Sequence, residues 1–220
     1  LFRGRRKALK EKIRGRKYKL DVNASLVKEL RDKTGVGIMD CKKALQESAG
    51  DISKAVDYLR KKGIATAKKR GGRATSDGQV QSYIHGGGKI GVLVEVNCET
   101  DFSAKTEDFT EFVKNVAMQI AATNPVAIDR DNVPKDLLEK EREIYSVQAK
   151  ESGKPEKVIE KIVDGKMKKF YSEACLLEQP YVKNPDMTVQ DLLNEVMAKT
   201  GENVVIRRFA RFQLGESDDR

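Results

Sequence analysis

Residues 79–96, QVQSYIHGGGKIGVLVEV, decide the fold. Val80, Ser82 and Ile84 alternate with Gln79, Gln81 and Tyr83, and beyond the bend at Gly86-Gly87-Gly88 the residues Ile90, Val92, Val94 and Val96 alternate on one face. A period of two on both sides of a glycine turn predicts a β-hairpin. Everything around it follows other periods.

Upstream, residues 23–73 carry the pattern of three short helices. Leu26, Val27 and Leu30 share one face behind a cap at Asn23 or Ser25, and Gly35 and Gly37 end that helix. Ile38, Cys41, Ala44 and Leu45 continue an apolar stripe, Gly50-Asp51 breaks and recaps the chain, and Ile52, Ala55, Val56 and Leu59 return at i, i+3, i+4 and i+7. The stretch KKRGGRATSDG at 68–78 then loses its apolar period and reads as a linker.

Downstream, helical spacing resumes at Phe109, Phe112, Val113, Val116 and Ile120, stops near Asn124-Pro125, and restarts after Pro134 with Leu137, Leu138, Ile144 and Tyr145. Pro155 suits a first helical turn ahead of Val158, Ile159, Ile162, Val163, Met167 and Phe170. Thr188 with Asp191 resembles a capping box, Gly201 closes the helix it starts, and Asn203–Gln213 reads as a last strand. The expected class is α+β. Residues 1–22 form a basic arm, appended or flexible; 23–73 form a helical module; and 74–220 form a core whose small antiparallel three-stranded sheet is packed by helices. Such a sheet has open edges, and self-association across one edge is a use for them.

Composition excludes several classes. No stretch approaches the roughly 20 apolar residues of a membrane span, and Cys41, Cys98 and Cys175 are too scattered for a disulfide framework or a metal knuckle, which points to a reducing compartment. The net charge of +9 is confined to residues 1–20, which hold ten bases and Glu11, so the remaining 200 residues are neutral. Nucleic acid would therefore be met only through residues 3–19, as in an RNA- or ribosome-associated protein, and the neutral body argues against that alternative.

Catalytic readings do poorly. The single histidine, His85, precedes three glycines as in an esterase oxyanion loop, but no GxSxG elbow exists to supply a nucleophile. Gly86–Lys89 echoes a phosphate-binding loop, yet Ile90 stands where Ser or Thr would hold magnesium. Glu139, Glu141 and Glu143 interleave with Lys140 and Arg142 as a solvated helix face does, and Cys41 and Cys98 lack a partner histidine. No cofactor, metal site or catalytic residue is expected. One stretch stands apart: in Asn97-Cys98-Glu99-Thr100-Asp101-Phe102-Ser103, a polar loop carries a phenylalanine beside an aspartate, before a helix expected near Ala104. Phe102 is either a staple packed on its own helix or an exposed anchor for a partner's pocket.

Four strings, LVKELRDKTGVGIMDCKKAL at 26–45, VEVNCETDF at 94–102, LLEQPYVK at 176–183 and GENVVIRRFARFQLGE at 201–216, closely resemble the translation elongation factor Ts family. The likeness runs in register from about residue 24 to 216 and leaves only the basic arm outside. It implies a ubiquitin-associated-like module and a core that grips elongation factor Tu. It also implies the short class with one core unit, whose members tend to form homodimers, and guanine-nucleotide exchange without chemistry of its own. By the same resemblance, Thr100, Asp101, Phe102 and Ser103 form the loop that dislodges the partner's magnesium, Phe102 wedging between helices while Asp101 disturbs the metal's water shell. Thr34, Gly35, Val36, Gly37, Ile38 and Met39 match the family's partner-facing turn, although Ile38 and Met39 can equally staple their own helix. The family usually carries Val where Ser103 stands; Asp-Phe is intact. A bacterial cytoplasm is the expected home in preference to an organelle.

Overall fold

The computed structural model describes residues 23–151, 153 and 155–216. The basic arm expected at 1–22, with its suggested nucleic-acid contact, lies outside them. Among the described residues there are eight α-helices and a three-stranded antiparallel sheet, an α+β fold with a helical module first. The chain divides into two compact units, one through Lys62 and one from Gly63.

The first unit holds α1 (Ala24–Thr34), α2 (Ile38–Glu47) and the start of α3 (Ile52–Arg70), a helix that runs three residues into the stretch whose composition suggested a linker. Asn23 is the cap, its side-chain oxygen accepting from the Ser25 amide at 3.1 Å. Leu30, Cys41, Ala44, Leu45 and Ala55 are fully buried in a small core. Each large apolar side chain removed from water there contributes roughly 1.5–3 kcal/mol, so few are needed to hold three short helices together.

In the second unit, β1 (Asp77–His85) pairs with β2 (Ile90–Cys98), which pairs in turn with β5 (Val204–Gln213), all antiparallel, in the order β1-β2-β5. Gly86, Gly87 and Gly88 all have positive φ, so the hairpin bend requires residues without a Cβ. Val92, Val94 and Val96 face inward with Val204 and Ile206, and α5 (Glu107–Thr123) lays Phe109, Phe112, Val113, Val116 and Ile120 across them. Asn124 ends α5 in the left-handed conformation. The alternation of β1 is inverted relative to its neighbour: Gln79, Gln81 and Tyr83 are half-buried while Val80 and Ile84 face out. Gln79 is satisfied at this position, its amide donating to the Ala104 carbonyl at 2.7 Å and to Thr110 Oγ1 at 3.3 Å.

An antiparallel pair, α6 (Lys135–Lys150) and α7 (Glu156–Ala174), buries Ala149, Val163 and Met167 in a cluster of its own. A ribbon absent from the sequence reading follows, β3 (Pro180–Tyr181) with β4 (Asn184–Thr188). Fully buried Gln119 on α5 holds it, accepting from the Val182 amide at 2.8 Å and donating to the Pro180 carbonyl at 3.1 Å. The capping box is realised: Thr188 and Asp191 bond reciprocally at the start of α8 (Val189–Thr200), which Gly201 closes.

Candidate functional site

Strand β2 ends at Cys98, and the polar loop after it folds back at once. Thr100 is extended and caps a single turn, α4 (Asp101–Ala104), its hydroxyl accepting from the Ser103 amide at 3.3 Å. Lys105 interrupts, and Thr106 caps α5 while donating to the Ser103 carbonyl at 2.7 Å. The helix expected near Ala104 thus starts at Asp101 and breaks before α5 begins. Thr106 makes that break, because its hydroxyl offers the backbone a local alternative to continuing the helix.

The turn sorts its side chains. Phe102 is 79% exposed, which overturns the staple reading, since a staple must bury its ring on the following helix. Asp101 is also exposed and pairs with Lys105 at 2.7 Å. That ammonium, by hydrogen bond and by charge, holds the Asp101 carboxyl below the usual carboxylate range, so it stays ionised at neutral pH. Ser103 points the other way and is only 3% exposed. Its hydroxyl makes no hydrogen bond of ordinary geometry, although the Cys98 thiol feels it weakly. An apolar side chain would suit that place, as the resemblance suggests.

The base of the turn is tied down from a distance. Glu202, on the connection between α8 and β5, accepts the Glu99 amide at 3.1 Å, the Thr100 amide at 3.0 Å and the Thr100 hydroxyl at 2.6 Å. Glu99 in return accepts the Asn203 amide at 2.6 Å and pairs with Arg73 at 3.2 Å. The Asn203 amide bond, first, and then Arg73 lower the Glu99 carboxyl below its ordinary range. Cys98 donates its thiol proton to the Thr100 carbonyl at 3.1 Å; burial, followed by the charge of Glu202, pushes its pKa up, so it is a poor nucleophile. Sequence reasoning missed Glu99, Glu202, Asn203 and Arg73 as a group. Nothing local marks partners a hundred residues apart.

In the first unit, Thr34, Gly35, Val36 and Gly37 build a turn between α1 and α2. Gly35 is left-handed with φ 66° and its N–H returns to the Arg31 carbonyl at 2.7 Å. Thr34 donates to the Leu30 carbonyl at 2.7 Å, the Cys41 thiol donates to the Val36 carbonyl at 3.3 Å, and half-buried Val36 packs on the module's core. Ile38 and Met39 do not join that core: they are 53% and 76% exposed. The alternative in which both merely staple α2 does not describe them.

The remaining candidates acquire no chemistry. His85 ends β1, its ring stacked on Tyr83 with Nδ1 3.0 Å from the phenol oxygen. Among the described residues, no group of three or more His, Cys, Asp and Glu side chains is placed to hold a metal, and no helix is long and apolar enough to cross a membrane.

What the molecule displays is an exposed aromatic ring on a braced turn in one unit and an exposed apolar pair in the other. Comparison with known proteins agrees with the four strings that frame these features. The family described as Elongation factor TS matches residues 56–216. The chain is 66% identical over 195 residues to an Elongation factor Ts of Desulfosudis oleivorans, covering 89% of this chain and 98% of that protein. It is 63% identical over 196 residues to that of Syntrophobacter fumaroxidans, with the same coverage of both, and 60% identical over 195 residues to that of Moorella thermoacetica, covering 89% and 96%. On this likeness across nearly the whole length, the chain belongs to the elongation factor Ts family of translation factors.

Proposed function

We propose that the chain is a guanine-nucleotide exchange factor that binds elongation factor Tu with GDP and favours a conformation in which the nucleotide's phosphate and magnesium contacts are spoiled. The observation that carries this reading is the 79% exposure of Phe102 on a turn whose base is hydrogen-bonded to Glu202. A large ring kept in water by a braced turn is placed for a foreign pocket. Asp101, ionised and adjacent, brings a negative charge to the same pocket and competes with the ligands that order the metal's water shell. Thr100 and Ser103 act from behind, one as cap and one as an inward anchor.

One ring does not suffice. Burying it contributes roughly 1.5–3 kcal/mol, about ten- to a hundredfold in affinity. The exposed pair Ile38 and Met39 supplies a second contact, presented by the turn that Thr34, Gly35, Val36 and Gly37 build. Because coupling is reciprocal, bound nucleotide weakens the factor by the ratio in which the factor weakens nucleotide, so incoming GTP expels it. This chain breaks no bond, and the bacterial cytoplasm, where its partner works, is its proposed location. Stopped-flow release of a fluorescent GDP from elongation factor Tu tests the reading. The rate is expected to climb with chain concentration to a plateau; binding with no acceleration would leave a mere Tu-binding protein.

A second copy of the chain packs, in this proposal, on the outer face of the sheet and not across an edge. Val80, Ile84, Leu93 and Phe212 are exposed there, and Ile84 and Phe212 flank Gly91 on the two neighbouring strands, a notch between ridges that the same face of another copy can fill. Sedimentation equilibrium is expected to give about twice 24.6 kDa, and Leu93→Glu to return the monomer. A parent protein that stays at 24.6 kDa at every concentration removes the dimer.

A further inference from the structure

Glu202 spends both carboxylate oxygens on two residues of a segment a hundred positions away. One oxygen accepts the amides of Glu99 and Thr100, and the other accepts the Thr100 hydroxyl at 2.6 Å. A threonine hydroxyl has one proton and two lone pairs. With its proton committed to Glu202, a lone pair is left to accept the Ser103 amide at 3.3 Å, which is the cap of α4. The carboxylate therefore orients the hydroxyl that starts the turn bearing Phe102.

The rest of the fold does not need this side chain. The β2–β5 ladder already extends to the pair Cys98 and Val204, and α8 is already closed by the Gly201 amide on the Met197 carbonyl at 3.1 Å. What Glu202 adds lies beyond both, on the two residues immediately before Asp101 and Phe102. Glu99 answers from the opposite direction by accepting the Asn203 amide, so each acid holds the backbone of the other's segment. Charge-assisted bonds of this kind are stronger than neutral ones and fix geometry. We propose that Glu202 is a positioning residue for nucleotide release, holding the turn so that the Phe102 ring stands in one direction before the partner arrives. This rests on the exchange reading above.

The test is stopped-flow GDP release from elongation factor Tu across a range of chain concentrations, for the parent, Glu202→Ala, Glu202→Gln, Phe102→Ala and the double variant Phe102→Ala with Glu202→Ala. Thermal unfolding and amide hydrogen exchange are recorded on each chain alone. Glu202→Ala is expected to lower the plateau rate about tenfold while shifting the half-saturating concentration less than about threefold. Glu202→Gln, which keeps an acceptor for the two amides but sets a donor against the Thr100 hydroxyl, is expected to be slower than the parent and no slower than Glu202→Ala. The losses in the double variant should be clearly less than additive, because Glu202 acts through the turn that carries the ring. Exchange at the amides of Glu99, Thr100 and Ser103 should quicken in Glu202→Ala while that of Val94 is unchanged.

Additive losses in the double variant would overturn the proposal, as would a plateau unchanged in Glu202→Ala. If Glu202→Ala does not fold, Thr100→Val removes the hydroxyl that Glu202 orients: the plateau is expected to fall likewise and exchange at the Ser103 amide to quicken, while the Glu99 and Thr100 amides, still accepted by Glu202, keep their rates. A parent chain that fails to accelerate release sinks the exchange reading instead. Hydrogen exchange then still decides whether Glu202 holds the turn: quickened amides sustain that, and unchanged amides refute it.

Discussion

Phe102→Ala is expected, on the proposed exchange function, to slow release of GDP from elongation factor Tu by about ten- to a hundredfold at a fixed, sub-saturating chain concentration, with the thermal midpoint of the chain unmoved. The range is the free energy of burying one phenylalanine, lost when the ring no longer enters its pocket. The midpoint stays because the ring is exposed in the free chain and packs on nothing that α4 or α5 needs. That combination separates a docking group from a core residue, whose truncation costs stability first: Phe109, seven residues on and fully buried, would lose about 3–5 kcal/mol as alanine. Stopped-flow fluorescence with calorimetry on the same preparations checks both halves. Equal rates for variant and parent would remove the wedge and leave the family membership untouched.

Gly78→Ala is expected to destabilise the second unit by about 2–4 kcal/mol. Gly78 has φ 149°, and a Cβ placed on it would lie 2.1 Å from the Val96 carbonyl oxygen and 2.7 Å from the Asn97 Cα. Both are backbone atoms of the central strand. Neither can swing aside as a flexible side chain would, so the first residues of β1 must peel from β2 or the ladder must shift. Urea unfolding followed by circular dichroism reads the loss as a lower midpoint at unchanged slope. A change under about 0.5 kcal/mol would mean that the strand start adapts freely and that the close approach constrains nothing. Since Gly78 pairs with Asn97, two residues before Glu99, a loosened strand end should also reach the Phe102 turn.

Much of the fold is legible because local chemistry and global position agree. Thr188 with Asp191 announces α8, Asn124 before Pro125 stops α5, and three glycines turn the hairpin, each by a preference that acts over a few residues. The inward face of β1 is not legible, because a strand pattern of valine and isoleucine suggests that they are the buried set; here glutamines take that face because Ala104 and Thr110 satisfy Gln79. The β3–β4 ribbon is hidden for a related reason. Pro180 and Pro185 argue against strands, and the stabilising contact is Gln119, sixty residues earlier.

The site divides in the same way. Asp101 and Phe102 stand out in sequence as an acid and an aromatic in a polar loop, and their exposure agrees with that prominence. Their support does not stand out. Glu202, Glu99, Arg73 and Asn203 are ordinary surface residue types, and only the meeting of β2 with β5 brings them to one place. Ser103 is the reverse case: its place in the motif suggests a contact residue, yet the geometry of α4 turns it inward.

The doubled threonine caps around α4 have a kinetic meaning as well. A loop that had to find its shape against the partner would surrender backbone freedom during the encounter, slowing commitment and weakening the complex. Here that freedom is surrendered once, when the polypeptide folds, and each later collision meets a tooth already set. On the exchange reading, such pre-setting shortens the encounter and leaves more of the contact energy for the grip itself.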